Sequence, residues 1–513
     1  MSADLIARGL ASRAAASARS PNTQALIQAI RNWGALAAPS HRLVSTDLPT
    51  VTVGAAGAAS TINAQGAGGA TVPRFDARLT YVAGPARLAG TTFPLNGYAV
   101  SRNGYYGALN ALGDPFFGTQ YHAFEFIHTG TQFEVPVTGH GANSVYNLRL
   151  LVDDAVAATV VVPSGNGNLY FVKFVFGASR ARRIRIETAS VPTNGINVVS
   201  ASEVSSVARA YPLVTIMGDS FVEATGADFS ANGEAALAAR LLGLRGAIAG
   251  VGGTGLISGG GNNSAGFPKV NFCDAVRMTD LTLAGVIDAQ TGGALSPALG
   301  VVMASVNDGS ANGFASVAGA ISFEDAITRQ IFKLIDAWRS ANPGKPLVFF
   351  GPTWPNASPT LDIFRQRDAV QRAVQGAGGP RANVWFVDRL GPSAILRHGA
   401  VDTLATTGTT TSGSATLTAL ASTAGVVAQS GISGPGIPDG AVVLTVVSAT
   451  SVTISHPCTA TGTAVAIRFR NNQSALYTSL VAGDTTHPSP AGHEYDALWI
   501  ASELRRLILN EFA

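Results

Sequence analysis

Cysteine is nearly absent. The 513 residues contain two, Cys273 and Cys458, far apart in the chain. Two such residues build neither a disulfide framework nor a cysteine-based zinc site, and they do not reveal the compartment. Charge is scarce as well: 13% of residues are charged and the formal net charge is +3. That balance gives no electrostatic case for nucleic acid as a partner. The densest basic run, SRARRIRIE at 179–187, alternates Arg183 and Arg185 with Ile184 and Ile186. It reads as the wet face of a half-buried strand. No run of about 18 apolar residues occurs, so no membrane span is expected. The first twenty residues lack the unbroken apolar core of a secretory signal. Work outside a cell would then call for another route, such as lysis or incorporation in a virus particle.

What the chain does have is hydrophobic content of 46% and 58 glycines. Its length is too great for one core, and two to four domains are expected. The segment 22–37, NTQALIQAIRNWGALA, suits a helix. Residues 45–75 are Gly, Ala, Thr and Val with few large side chains, and 1–75 as a whole reads as a helix followed by a linker or stalk. Such a segment can serve attachment, to a virion for example, or homo-oligomerisation. From 76 to 208 short apolar strands alternate with Gly, Asn and Asp turns, the pattern of an antiparallel β-sandwich.

Near 210 the pattern changes. Strands LVTIM, GAIAG, LGVVMAS, PLVFFGP and NVWFVD alternate with helical segments at 233–244, 323–341, 360–375 and 489–512. Near-continuous apolar strands between helices imply an α/β fold, a parallel sheet covered on both faces. Ser322 suits an N-cap, and Asn342-Pro343-Gly344 a helix stop. Residues 403–470 interrupt this with Thr, Ser, Val and Gly and no helix signal, so a small β module is expected there, inserted in an α/β domain covering 209–402 and 471–513.

The stretch IMGDSFVEATG at 216–226 puts Ser220 just past an apolar strand and before a helix. Ligands of open α/β sheets sit outside the carboxyl ends of strands, so this is a place for a nucleophile. A serine hydroxyl needs a base, and the base an orienting group. GDTTHPSPAGH supplies both, with Asp484 three residues before His487. Asp484 would hold the imidazole and His487 take the Ser220 proton. The developing oxyanion needs donors. AGVGGTG at 249–255 offers backbone amides, with Gly252 and Gly253 both candidates, and ASVNDGS at 304–310 offers the Asn307 side chain. Each follows a predicted strand, so all can meet on one rim.

Other polar residues have plainer readings. Asp219 and Asp308 suit structural hydrogen bonding. GVGGTGLISGGG lacks the Gly-Lys-Ser/Thr of a phosphate loop. His122, His128 and His140 lack metal-ligand spacing and read as ordinary polar residues, and His493 as structural or on the surface. Trp354 fits a substrate cleft or a core equally. Neither metal nor cofactor is implied.

Gly-Asp-Ser220, Gly252-Gly253, Asn307-Asp308 and Asp484-x-x-His487-Pro488, in that order, resemble the four blocks of the SGNH, or GDSL, hydrolases. The resemblance covers about 210–400 and 471–513. It implies a flavodoxin-like sheet and a cofactor-independent serine esterase. Ser220 would be its nucleophile, His487 its base and Asp484 the orienting acid. The Ser220 and Gly253 amides and the Asn307 side chain would form the oxyanion hole. Two departures stand out: Ser305 replaces the usual glycine of the third block, and alanine precedes the glycines of the second. The β-sandwich resembles the jelly-roll modules of carbohydrate esterases, and the 403–470 segment resembles small β modules of phage tail proteins. Together they imply an O-deacetylase on an acylated carbohydrate or polysaccharide, of phage or prophage origin. Two further readings stay open: a lipase or arylesterase on small esters, and a non-catalytic glycan-binding tail protein.

Overall fold

A computed structural model describes residues 24, 26–28, 30, 44–62, 69–74, 76–83, 87–88, 99–100, 121–138, 147–163, 168–189, 191, 193–208, 211–261, 269–286, 288, 291–309, 314–352, 361–390, 401–428, 430–438, 441–471 and 486–512. Trp354, His140 and Asp484 lie outside the described residues, as does the side chain of His122.

The fold is mixed α/β. Its centre is the strand Leu213–Gly218, buried along its whole length. It pairs in parallel with Arg245–Gly250 on one side and Leu299–Met303 on the other. Leu347–Phe350 and Val384–Val387 extend the sheet beyond Leu299–Met303, also in parallel. Counted along the chain, these five strands lie in the order 2-1-3-4-5. The order reverses between Leu213–Gly218 and Leu299–Met303, and a crevice opens at such a switch point above the carboxyl ends of the strands.

Period-two alternation assigns each strand residue to one of two cores. Val214, Ile216, Val301 and Phe350 face the helices Glu234–Leu241 and Pro490–Asn510. Met217, Val302 and Phe349 face Phe323–Ala341 and Leu361–Gly376. The sheet is therefore covered on both faces, as its apolar strands require. Phe323–Ala341 starts where expected, with the Ser322 side chain accepting from the Asp325 amide. The helix Ala275–Thr282 was not foreseen. Its buried residues mix Arg277, Asp280 and Thr282 with Leu281, so the hydrophobic period is weak in the sequence.

The described part of the 22–37 segment, Gln24, Leu26–Gln28 and Ile30, is helical, and Leu26, Ile27 and Ile30 join the core under the final helix. The stretch read as a linker carries two strands instead. Thr50–Val53 pairs with Leu169–Val175, and Ala70–Val72 with Ile196–Val198. TVTV is a β-branched run of strand period, and that outweighs the surrounding Gly and Ala. Both strands belong to a five-stranded sheet. It packs across Phe126, Phe133, Val172, Phe174 and Ile184 onto a second antiparallel layer containing Tyr121–His128, Leu148–Val152 and Arg182–Ala189.

That second layer is continuous with the parallel sheet. Thr80–Ala83 pairs antiparallel with Tyr121–His128, and its Ala83 pairs in parallel with Gly246, giving one eleven-stranded sheet. The outer face of Arg182–Ala189 is consequently not wet along its length. Arg185 is buried, with hydrogen-bond and ionic contacts to Glu125, Glu187 and Tyr121, while Arg183 pairs with Asp154. Above this face the turn Ser230–Asn232 meets Arg149 through Asn232, and Arg240 of helix Glu234–Leu241 reaches Glu187. His128, expected to be an ordinary polar residue, is wholly buried against Phe133.

Strands within 401–471 form two three-stranded sheets around a core of Leu417, Ile432, Val452 and Phe469. They dock on helix Leu361–Gly376, where Val442 meets Ile363 and Phe364 and His456 meets Asp368 and Arg367. Among the described residues, no helix is long and apolar enough to cross a membrane.

Candidate active site

Ser220 follows the central strand directly and is 7% exposed. The turn that carries it depends on close backbone approach. A Cβ at Gly218 would lie 2.3 Å from Val222 Cγ2, and one at Gly250 would lie 2.1 Å from the Glu223 amide nitrogen. Side chains are excluded at both points. Beneath the turn, the buried Arg277 donates through one terminal nitrogen to the Gly218 and Ala249 carbonyls at 3.0 and 2.9 Å. One guanidinium thus pins the carboxyl ends of both strands.

His487 Nε2 lies 2.8 Å from Ser220 Oγ, although 267 residues separate them. The imidazole leans on the Phe221 ring at 5.4 Å between centroids. Gly226 permits this approach. It has φ +93°, and a Cβ there would sit 2.2 Å from the Pro488 carbonyl and 3.4 Å from His487 Cβ. Just beyond Pro488, Ser489 caps the final helix by accepting from the Gly492 amide. His493 then anchors that helix to the serine loop. It accepts from the Glu234 amide at 3.2 Å and donates to the Thr225 carbonyl at 2.9 Å. Burial lowers its pKa, which keeps the ring neutral for both bonds. Its role is therefore structural, and it is not on the surface.

The second glycine block lies beside the serine. A Cβ at Gly252 would be 3.4 Å from Ser220 Cβ and 2.7 Å from Glu223 Oε2. Three neighbours hold the loop. The Gly252 amide donates to Glu223 Oε2 at 2.5 Å, the Gly252 carbonyl accepts from Lys269 Nζ at 2.9 Å, and the Gly253 carbonyl accepts from Ser258 Oγ at 3.1 Å. Among the described residues, none accepts from the Gly253 amide. The φ of +80° at Gly253 is the left-handed turn that sets this geometry.

The third block is tied to the first. Ser305 Oγ donates to Asp219 Oδ2 at 2.6 Å, and the Asn307 amide and side-chain Nδ2 both donate to Ser305 Oγ at 2.9 Å. Asn307 Nδ2 also donates to the Thr254 carbonyl at 3.1 Å. Asp219 further accepts from the Phe221 amide at 3.0 Å. Burial pushes the Asp219 pKa up, against the Ser305 and Phe221 bonds that favour the carboxylate. Among the described residues Asp219 has no hydrogen bond to His487, in keeping with a structural reading. Asp308 ties the third block to the second. It accepts from the Leu256, Ile257 and Ser258 amides and from Gln366 Nε2. Burial raises its pKa to about 6 against those amides.

The structure therefore brings Ser220 and His487 together and places Gly252 against Ser220, with Asn307 linked to the same turn through Asp219. Sequence reasoning missed Glu223, Lys269 and Arg277. Glu223, three residues past Ser220 in one turn, was the only one with a spacing signal. Nothing local marks the other two.

No family model and no curated protein matches the chain. Solved structures similar to it include carbohydrate esterases. A family two carbohydrate esterase from Cellvibrio japonicus is 14% identical over 62% of this chain and 88% of its own, with a TM-score of 0.43. An active-site mutant of a family two carbohydrate esterase from Clostridium thermocellum is 15% identical over 83% of this chain and 98% of its own, with a TM-score of 0.45. A protein from Bacteroides ovatus named as a GDSL-like lipase is 12% identical over 52% of this chain and 73% of its own, with a TM-score of 0.36.

Proposed function

We propose that this chain is a serine esterase of the SGNH type that removes O-acetyl groups from a carbohydrate or polysaccharide. The observation carrying the reading is the 2.8 Å contact between Ser220 Oγ and His487 Nε2 at the switch point of a parallel sheet. His487 takes the hydroxyl proton as Ser220 Oγ attacks the acyl carbon. A tetrahedral oxyanion forms. As the intermediate collapses and its bond to the sugar oxygen breaks, His487 returns the proton to that oxygen, which leaves as a hydroxyl; an acyl-serine remains, and water repeats the cycle to release the acid. Since Nε2 faces the serine, Nδ1 is the nitrogen an acid such as Asp484 would orient.

The Gly253 amide and the Ser220 amide are the backbone donors for the oxyanion; Asn307 joins them by turning an Nδ2 hydrogen away from Ser305 or Thr254, to which it now donates. Gly253 is preferred to Gly252 because Glu223 already takes the Gly252 amide. Glu223, Lys269, Asn307 and His487 make the surroundings of Ser220 polar. A short acyl group on a polyol suits that chemistry better than a fatty chain, whose groove needs an apolar wall.

The test compares p-nitrophenyl acetate, butyrate and octanoate, together with acetate release from acetylated xylan. The reading predicts turnover confined to short acyl groups, acetate released from the polymer, and neither in Ser220→Ala. Octanoate preference would make the chain a lipase. Glycan binding without turnover would make it a binding protein.

A further inference from the structure

The Gly252 carbonyl and the Gly253 N–H belong to one peptide group. Lys269 Nζ donates to that carbonyl at 2.9 Å. On the far side of the same residue, Glu223 Oε2 accepts the Gly252 N–H. Lys269 is itself held, its backbone amide donating to the Gly261 carbonyl at 2.7 Å. An ammonium on a peptide carbonyl draws electron density toward the oxygen and makes the N–H at the other end of the peptide a stronger donor, as cooperative hydrogen-bond chains do. It also fixes the peptide plane before the reaction, when reorganisation would otherwise oppose the transition state.

We propose that Lys269 is a positioning residue for the oxyanion hole. It orients and polarises the Gly252–Gly253 peptide so that the Gly253 N–H meets the charge developing on the substrate oxygen. This rests on the reading of Ser220 as nucleophile and Gly253 as donor. Lys269 touches neither substrate nor Ser220 in this role. Its effect passes through one peptide bond, is greatest in the transition state, and therefore falls on kcat rather than KM.

The experiment measures kcat and KM on p-nitrophenyl acetate for wild type, Ser220→Ala, Lys269→Met, Lys269→Arg and Lys269→Cys. The last is assayed before and after alkylation with bromoethylamine, which rebuilds an ammonium at nearly the native reach. Cys273 and Cys458 are buried, so the new thiol is the reactive one. The expected result is a kcat about 10-fold to 100-fold lower in Lys269→Met with KM within about twofold. Lys269→Arg recovers part of the loss, and alkylated Lys269→Cys most of it. Unchanged kcat in Lys269→Met, or a loss that alkylation does not repair in the Cys variant, overturns the proposal. An active Ser220→Ala instead overturns the esterase reading beneath it, so the two failures are distinct.

Discussion

Ser305 Oγ bridges Asp219 and Asn307, donating to Asp219 Oδ2 at 2.6 Å while accepting both Asn307 amides at 2.9 Å. A glycine at this position would leave the carboxylate and the asparagine without their common partner. Ser305, where the SGNH pattern has glycine, thus makes a built contact. Ser305→Ala is expected to lower kcat by about 10-fold, because Asn307 keeps Thr254 but loses the hydroxyl that fixes it beside Asp219, and to lower stability by about 1–3 kcal/mol through the buried acceptor and the donors left unmatched. Steady-state kinetics beside urea denaturation checks both. An unchanged kcat would separate Asn307 from the reaction.

Gly226 is the residue over which the histidine loop passes. At φ +93°, with the Pro488 carbonyl 2.2 Å from any Cβ, alanine must push that loop away. Gly226→Ala should reduce kcat/KM by more than about 10-fold, since a misplacement of about 1 Å in a catalytic pair is worth up to 100-fold. Gly57→Ala is the control. Gly57 has a similar φ of +71° but open space around it, and its substitution should lower stability by about 1 kcal/mol with activity intact.

The buried Glu187 joins the antiparallel layer to the helix Glu234–Leu241. It meets Arg149 Nε at 2.7 Å, Arg185 Nε at 2.9 Å and Arg240 at 3.2 Å. Burial alone would raise its pKa, but the three guanidinium groups hold it well below the usual carboxylate range. Glu187→Gln leaves buried arginines under-compensated and should lower unfolding free energy by about 3–5 kcal/mol. Urea unfolding followed by tryptophan fluorescence reads this. A change under about 1 kcal/mol would mean that water enters the network.

His128 gives the fold a pH dependence. Burial, aided by the nearby Arg182 charge, lowers its pKa from 6.5 to about 4. Glu203, 3.7 Å from Nε2, is the acidic group facing it. The unfolded chain therefore takes up a proton that the folded chain refuses, and stability falls as pH drops from about 6.5 through 4. At about 1.4 kcal/mol per unit the full loss is about 3 kcal/mol. His128→Phe should flatten that part of the curve. Urea midpoints at pH 4 to 7 for both proteins show whether it does.

The parallel half of the fold was legible in the sequence because its strands are continuous apolar runs and the helix Phe323–Ala341 carries a clear cap in Ser322. The approach of Ser220 to His487 was legible because a serine just past an apolar strand and a histidine just before the last helix are the residue types that a nucleophile and its base would need. What escaped has one cause: contacts across long sequence separations leave no local period. Arg185 looked like a surface residue because its strand alternates, whereas Tyr121 and Glu125, which lie about 60 residues away in sequence, take up its guanidinium in the interior. Thr50–Val53 was hidden by Pro49 before it and by the glycine and alanine that follow it. Lys269 and Arg277 act on backbone carbonyls, which no side-chain pattern records.

The most direct test of the central claim is covalent. Treatment with a fluorophosphonate followed by peptide mass mapping identifies the activated serine. The prediction is one adduct, on Ser220, absent in Ser220→Ala and slowed at least 100-fold in His487→Ala, which lacks the imidazole proposed as the base, 2.8 Å from Ser220 Oγ in the native chain. Labelling at another serine, or at an equal rate without His487, would contradict it.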